Sequence, residues 1–466
     1  MCLANKQTGK VFTPNFIVNN ILDFIDYNNE NILKKSIIDN SCGDGAFLCK
    51  ITERYIKIFL QNNQNKEQLK QELEKYIVGI EIDNNSYNNC IKNLNKVAEK
   101  HNLFNVKWNI YNDNTLSIYK QHLKKYDFVV GNPPYVRIHN AKDNIKEFSF
   151  SNKGMSDLYL TFFEVGLKML SENGKMCLIT PSSFLTSKAG ENFRQYIKTN
   201  HNLQKVVDLE HFQPFEGITT YTIITLFQGN KYFDKIDYYK YNEENKQPCF
   251  VDKLNYTDCF IKNELFFLKR EELKQLNKIY QTNIKTDKIE VKNGYATLCD
   301  KVFIVDFDFD NTIDVVKAST GEKRKCLFPY DKQCKPVNKQ EIENSNSYKY
   351  LLKHKEELLN RDIDDKENWF LFGRTQAIND TYKDKITINQ IIKDKQSLKL
   401  KSIKSGTGVY GGLYIITNSD FAKIKNIIIN DEFIKYVKSL KKFKSGGYYT
   451  FSSSDLKKYL VYKLYG

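Results

Sequence analysis

Six short apolar runs, at residues 36–38, 76–80, 128–130, 175–179, 204–207 and 221–227, alternate with amphipathic stretches of helical period such as 46–60 and 158–170. No other feature constrains the fold so tightly. Strands that read apolar throughout must be covered on both faces, so the alternation predicts a mainly parallel sheet flanked by helices, an α/β fold. In 158–170, Leu160, Phe163, Val165, Leu167 and Leu170 fall broadly on one side, as a sheet-covering helix requires. From about residue 236 the pattern gives way to polar, Tyr- and Asn-rich segments, beginning with Tyr238-Tyr239-Lys240-Tyr241-Asn242. A chain of 466 residues is also too long for one compact core. Two domains are therefore expected, over residues 1–235 and 236–466.

Charge narrows the partner. Lys and Arg number 71 against 56 Asp and Glu, a formal net charge of +15. That excess points first to nucleic acid and second to an anionic membrane surface. Its distribution favours the former: residues 371–466 hold 18 Lys and Arg and 7 Asp and Glu, whereas 281–370 hold 16 and 17. No apolar run approaches the length of a bilayer-spanning helix, and MCLANKQTGK lacks the apolar core of a signal peptide, so a cytoplasmic protein without membrane association is expected. The ten cysteines never form C-x-x-C and the six histidines are scattered. Free, mostly buried thiols and no metal site are the expectation.

Four motifs carry chemistry. Ile38-Asp39-Asn40-Ser41-Cys42-Gly43-Asp44-Gly45 runs from a strand through a two-glycine turn into a helix, which lets a ligand approach main-chain N–H groups. By itself G-x-G is more commonly an ordinary left-handed turn, and the absence of a third glycine disfavours a nicotinamide dinucleotide. Glu81, in Gly79-Ile80-Glu81-Ile82-Asp83, ends the next strand, where a carboxylate can accept both hydroxyls of a ribose. It lies 38 residues beyond Gly43, against roughly 20 in dinucleotide folds, and the polar insert 61–75 accounts for the excess. Asp113 follows a third short apolar stretch and could accept from an adenine amine, although Asp in a turn is unremarkable.

The fourth motif is the most specific. The strand Tyr126-Asp127-Phe128-Val129-Val130 ends in Gly131-Asn132-Pro133-Pro134-Tyr135, in a chain with only eight prolines. Each proline forces its predecessor out of the helical region, so Asn132 and Pro133 are held extended. The Asn132 side-chain oxygen and the Pro133 carbonyl can then accept both hydrogens of one planar amine and expose its lone pair. Tyr135 supplies a ring for the base that carries the amine.

With these motifs in this order the chain resembles the γ-class, Taq-type N6-adenine DNA methyltransferases of restriction-modification systems. That resemblance implies a Rossmann-like S-adenosylmethionine-dependent methyltransferase domain followed by an α+β target-recognition domain. It implies S-adenosyl-L-methionine as methyl donor, with no metal. Gly9-Lys10-Val11-Phe12-Thr13-Pro14 resembles the element that holds the methionine carboxylate, through Thr13. Asp39, Asn40, Ser41, Gly43 and Gly45 match the family's first motif, with Asn40 and Ser41 replacing its common proline and alanine. The family pattern assigns Glu81, with Ile82 beside it, to the ribose, Asp113 to the cofactor adenine, and Asn132, Pro133, Pro134 and Tyr135 to the target base. Phe215, in Pro214-Phe215-Glu216-Gly217-Ile218, matches the aromatic that faces the flipped base, with Phe212 as a competitor. Segments 157–163, 173–175 and 180–185 resemble later blocks of the family, and 292–304, 369–376 and 444–451 resemble its recognition domain. The implied partners are double-stranded DNA and a separately encoded restriction endonuclease, and the implied state is a monomer. Cytosine N4, RNA or a release-factor glutamine remain alternative amines, and a silent DNA-binding subunit a different class of reading.

Overall fold

A computed structural model describes residues 12–138, 145–217, 219–282, 284 and 286–466. Its contacts divide the chain into two units, Met1–Lys274 and Gln275–Gly466.

The first unit is built on a nine-stranded sheet. In chain order its strands are β1 (Ile37–Asp39), β2 (Ile77–Ile80), β3 (Asn109–Tyr111), β4 (Tyr126–Gly131), β5 (Leu170–Pro181), β6 (Leu203–Asp208), β7 (Thr222–Gln228), β8 (Lys235–Asn242) and β9 (Gln247–Asn255). They lie in the order β3-β2-β1-β4-β5-β7-β6-β8-β9. The left half, β3 to β5, is parallel throughout. β7 then inserts antiparallel between β5 and β6.

Helices α1 (Asn15–Phe24), α2 (Ala46–Asn62), α3 (Lys66–Tyr76) and α4 (Asn84–Glu99) contribute to one apolar cluster. Ile17, Leu48, Ile51, Leu73 and Leu94 meet Val130, Cys177, Ile179, Ile224 and Leu226 of the sheet there. Alternate strand residues point the other way, because side chains change face with each step. Phe227 of β7 accordingly meets Phe163 at 5.9 Å, on the helix α5 (Leu158–Met169), and Phe193 at 5.9 Å, on α6 (Glu191–Asn200). β2 is buried at every position, and β7 at all but its last, as two covered faces require.

The composition change near residue 236 falls inside this sheet rather than where contacts divide. β8 pairs parallel with β6, and β9 closes the edge antiparallel to β8. The second unit holds smaller sheets. One orders Ile289–Asn293, Leu413–Thr417, Lys385–Ile388 and Leu400–Ile403, all antiparallel. Another orders Ile304–Val305, Lys323–Leu327, Thr312–Lys317 and Gly408–Tyr410, and the helix Ser453–Tyr465 closes the chain.

Candidate active site

The carboxyl ends of β1, β2 and β4 lie side by side, and the loops that leave them surround a cavity of about 540 Å³. β1 delivers Asp39, which is 2% exposed. Burial pushes its carboxyl up to about 7; the Ser41 N–H it accepts at 3.1 Å pulls the other way, and the nearby Glu81 adds to the rise. β4 passes so close that a Cβ on Gly131 would lie 2.8 Å from Asp39 Oδ1, which explains the glycine that precedes Asn132.

After Asp39 the chain turns through Gly43 and Gly45, both left-handed at φ +55° and +89°. A Cβ at Gly45 would also stand 2.8 Å from Cys90 Sγ on α4, so sterics and backbone both demand glycine there. Glu81 fixes this turn. Its Oε2 accepts the Gly43 N–H at 2.8 Å and its Oε1 the Asp83 N–H at 2.8 Å. A carboxylate offers about four lone-pair sites, so each oxygen keeps one for a ligand hydroxyl. Ile82 beside it lines the cavity and is 66% exposed, an apolar surface for a flat ring.

Asn40 and Ser41 both line the cavity, and Asn40 Oδ1 and Ser41 Oγ are buried without a hydrogen-bond partner among the described residues. The Asn40 carbonyl accepts from Thr115 Oγ1 at 2.6 Å, which ties the β1 loop to the segment after β3. On that segment Asp113 is exposed and stands just outside the lining; its Oδ1 accepts the Asn114 N–H at 2.7 Å. Asn114, Thr115 and Leu116 form the wall instead. Sequence reasoning passed over them, although an Asn-Thr pair before Leu116 and Ile118 is a helix-start signal, and Asn114 does cap that turn. Phe12, Leu158 and Phe162 were read only as parts of the 9–14 and 157–163 segments, with no role of their own; they too line the cavity, the last two one turn apart at the start of α5.

Asn132 and Pro134 reach the cavity from β4. Asn132 Nδ2 donates to Thr13 Oγ1 at 3.1 Å, while its Oδ1 is buried and has no partner among the described residues. Pro133 is buried and Tyr135 half-buried. The Tyr135 hydroxyl donates to the Ile179 carbonyl at 3.3 Å, and burial raises its pKa. Its ring meets Phe215 at 6.1 Å between centroids and 75° between planes. Phe212 is taken up elsewhere, stacked on Tyr241 at 4.8 Å and 12°. Gly9, Lys10 and Val11 of the N-terminal element, and Ile218 beyond Phe215, lie outside the described residues. Among the described residues no group of three or more His, Cys, Asp or Glu is placed to hold a metal ion, and no helix is long and apolar enough to cross a membrane.

A parallel half-sheet, an antiparallel β7 between β5 and β6, and a cavity at the carboxyl ends of β1, β2 and β4 make up the Rossmann-like α/β fold that the sequence implies. Comparison with known proteins gives the next step. Residues 30–215 match the Eco57I restriction-modification methylase family. It is 27% identical over 347 residues to the type II methyltransferase M.BstVI of Geobacillus stearothermophilus, covering 65% of this chain and 60% of that one. It is 25% identical over 358 residues to the type II restriction enzyme and methyltransferase RM.Eco57I of Escherichia coli, covering 63% and 36%. Among solved structures, the type IIL restriction-modification enzyme MmeI, determined in complex with DNA, superposes with a TM-score of 0.65 at 15% identity, covering 94% of this chain and 63% of that one. The chain thus spans about three fifths of the M.BstVI and MmeI chains and little more than a third of RM.Eco57I.

Proposed function

We propose that this protein is a site-specific DNA methyltransferase that modifies the N6 amine of an adenine flipped out of duplex DNA, as the modification arm of a restriction-modification system. The observation that carries the reading is the Asn132 amide. It lines the cavity, with its Nδ2 held by Thr13 and its Oδ1 buried and unpartnered among the described residues.

S-adenosylmethionine, when bound, would supply an electrophilic methyl on a sulfonium. The residues present fit it: Asn40 and Ser41 line the cavity and keep buried side-chain oxygens unpartnered among the described residues, the glycine turn permits close approach, Glu81 keeps lone pairs for a ribose, and Ile82 offers an apolar face. Asp113 would act from the rim and Thr13 from beside Asn132. Transfer to an amine is an in-line displacement that needs no covalent enzyme intermediate, so positioning and hydrogen bonds aimed at developing charge supply the catalysis. Asn132 Oδ1 and the Pro133 carbonyl accept the two amine hydrogens, drawing electron density onto the nitrogen as it attacks.

Extruding the base costs a few kcal/mol. Stacking on Tyr135 and Phe215 offsets about 1–3 kcal/mol of it. A base between two rings needs about 7 Å, two contact distances, and parallel faces. The rings stand 6.1 Å apart and near perpendicular, so one of them turns when the base enters.

The second unit, whose residues 371–466 hold 18 Lys and Arg against 7 Asp and Glu, serves target recognition in this reading. The remaining parts of the proposal are a cytoplasmic monomer without membrane association and a separately encoded endonuclease partner. Replacing Asn132 by Ala tests the core of it: methyl transfer to DNA is lost while calorimetric cofactor binding persists. Near-normal turnover in Asn132→Ala would remove the residue, and the reading built on it.

A further inference from the structure

The chain that leaves Tyr135 pairs at once with the segment that leads into α5. The Ile138 N–H donates to the Ser156 carbonyl at 3.0 Å, and the Leu158 N–H to the Val136 carbonyl at 2.8 Å. Arg137 and Asp157 form the bridge between those two bonds, and their side chains meet at 3.2 Å. The second strand of this ladder enters from a tight turn over Lys153, Gly154 and Met155. Gly154 is left-handed at φ +59°, and the buried Ser156 closes the turn, its Oγ donating to the Lys153 carbonyl at 2.8 Å. Arg137 Nη1 fixes the apex by donating to the Met155 carbonyl at 2.9 Å.

At that apex Met155 is 76% exposed, against 66% for Phe12 and Ile82, the next most exposed large apolar side chains among the described residues. Those two line the cavity; Met155 does not. A single exposed apolar side chain is ordinary. This one stands on a pinned backbone and among cations. Arg137 is bonded to it, Lys153 lies two residues before it, and the exposed Lys188 has its Cβ 3.8 Å from where a Cβ on Gly154 would stand. Asp157 and Glu191 offset part of that charge, through Arg137 and, at 2.8 Å, through Lys153. An apolar tip among cations suits a duplex, whose phosphates meet the cations while the tip meets base faces. Two extended residues separate Tyr135 from Arg137, about 7 Å of chain.

We propose that Met155 is the wedge that enters the base stack of duplex DNA where the target adenine leaves it. The proposal rests on the methyltransferase reading above and adds the residue that holds the vacated position. Extrusion costs unstacking and unpairing energy, which an open vacancy does nothing to recover. An apolar side chain in the gap restores contact with the neighbouring bases. Methionine is unbranched, with rotatable bonds enough to fit between them. Met155 stands outside the cavity, so it acts on extrusion and leaves cofactor binding alone.

The test uses the full chain, S-adenosylmethionine and the duplex whose methylated site base-resolution mapping identifies. That duplex is made in two forms, with thymine or an abasic site opposite the target adenine. Met155→Ala should lower kcat/KM on the paired duplex by about 10- to 100-fold, the part of the unstacking cost that one side chain offsets. On the abasic duplex, where pairing no longer resists extrusion, it should come within about threefold of wild type. Met155→Leu, apolar and of similar volume, keeps most of the paired activity. Calorimetric cofactor affinity and the melting temperature stay unchanged in both variants. Undiminished kcat/KM in Met155→Ala, an equal loss on both duplexes, or weakened cofactor affinity overturns the proposal. Wild-type protein that binds cofactor yet methylates no DNA overturns the methyltransferase reading instead.

Discussion

Asp39 shows how far burial can set a group's chemistry. Its carboxyl titrates near 7 in the folded chain, against 3.8 for an exposed aspartate, chiefly because it is buried. Between those values the folded state holds a proton that the unfolded state has released, so stability falls as pH rises from about 4 to 7 and levels beyond. Asp39→Asn has no such term, and melts from pH 4 to 8 should show wild type losing ground to the variant across that window; parallel curves would contradict it. A cationic ligand favours the ionised form, so binding of S-adenosylmethionine near pH 6 should release a proton from wild type and none from Asp39→Asn, measured by calorimetry in buffers of different ionisation enthalpy.

Glu81 makes a second prediction at this scale. Its carboxylate holds the Gly43 and Asp83 N–H groups and is proposed to take the ribose, so Glu81→Ala should weaken cofactor affinity by about 1–3 kcal/mol. Unchanged affinity would remove it from the site. The carboxylate's place at the end of β2 was legible in the sequence because an acid closing an apolar strand stands out. Its grip on the Gly43 turn was not, since nothing in the sequence shows that a loop 38 residues away folds back onto it. Asn114 and Thr115 were given no role for a similar reason: theirs depends on β3 lying beside β2, whereas Asp113 stood out as an acid after an apolar stretch.

Among the elements, the turn between β1 and α2 carries the sharpest demand. Gly43 and Gly45 are both left-handed, but a Cβ at Gly43 meets nothing within 4 Å, whereas one at Gly45 meets Cys90. Gly43→Ala should cost about 1–2 kcal/mol of backbone strain. Gly45→Ala adds crowding against α4, of about 1–3 kcal/mol more. Denaturant melts read the difference, and equal losses would contradict the packing described. The strand–helix alternation was readable because strands covered on both faces are apolar at every step. The end of the sheet was not. β9 is an edge strand whose residues are mostly partly or fully exposed, so its polar sequence resembles the start of a new domain.

At the scale of the whole molecule the governing quantity is the charge of +15, and residues 371–466 supply +11 of it. Not every lysine there is available to a polyanion. Lys442 donates to Asp455 at 2.6 Å and Lys385 is buried against three carbonyls, whereas Lys444 is exposed on a short hairpin. Lys444→Ala should weaken binding to all duplexes alike and reduce the slope of log affinity against log salt by about one. An unchanged slope would take this hairpin off the DNA.

The central claim is that the amine received by Asn132 belongs to adenine in duplex DNA. Base-resolution mapping of DNA methylated by the purified chain tests it most directly. The account predicts N6-methyladenine at one short recurring sequence and no modified cytosine. Methylation at cytosine N4, or DNA left unmodified in the presence of bound cofactor, would contradict it.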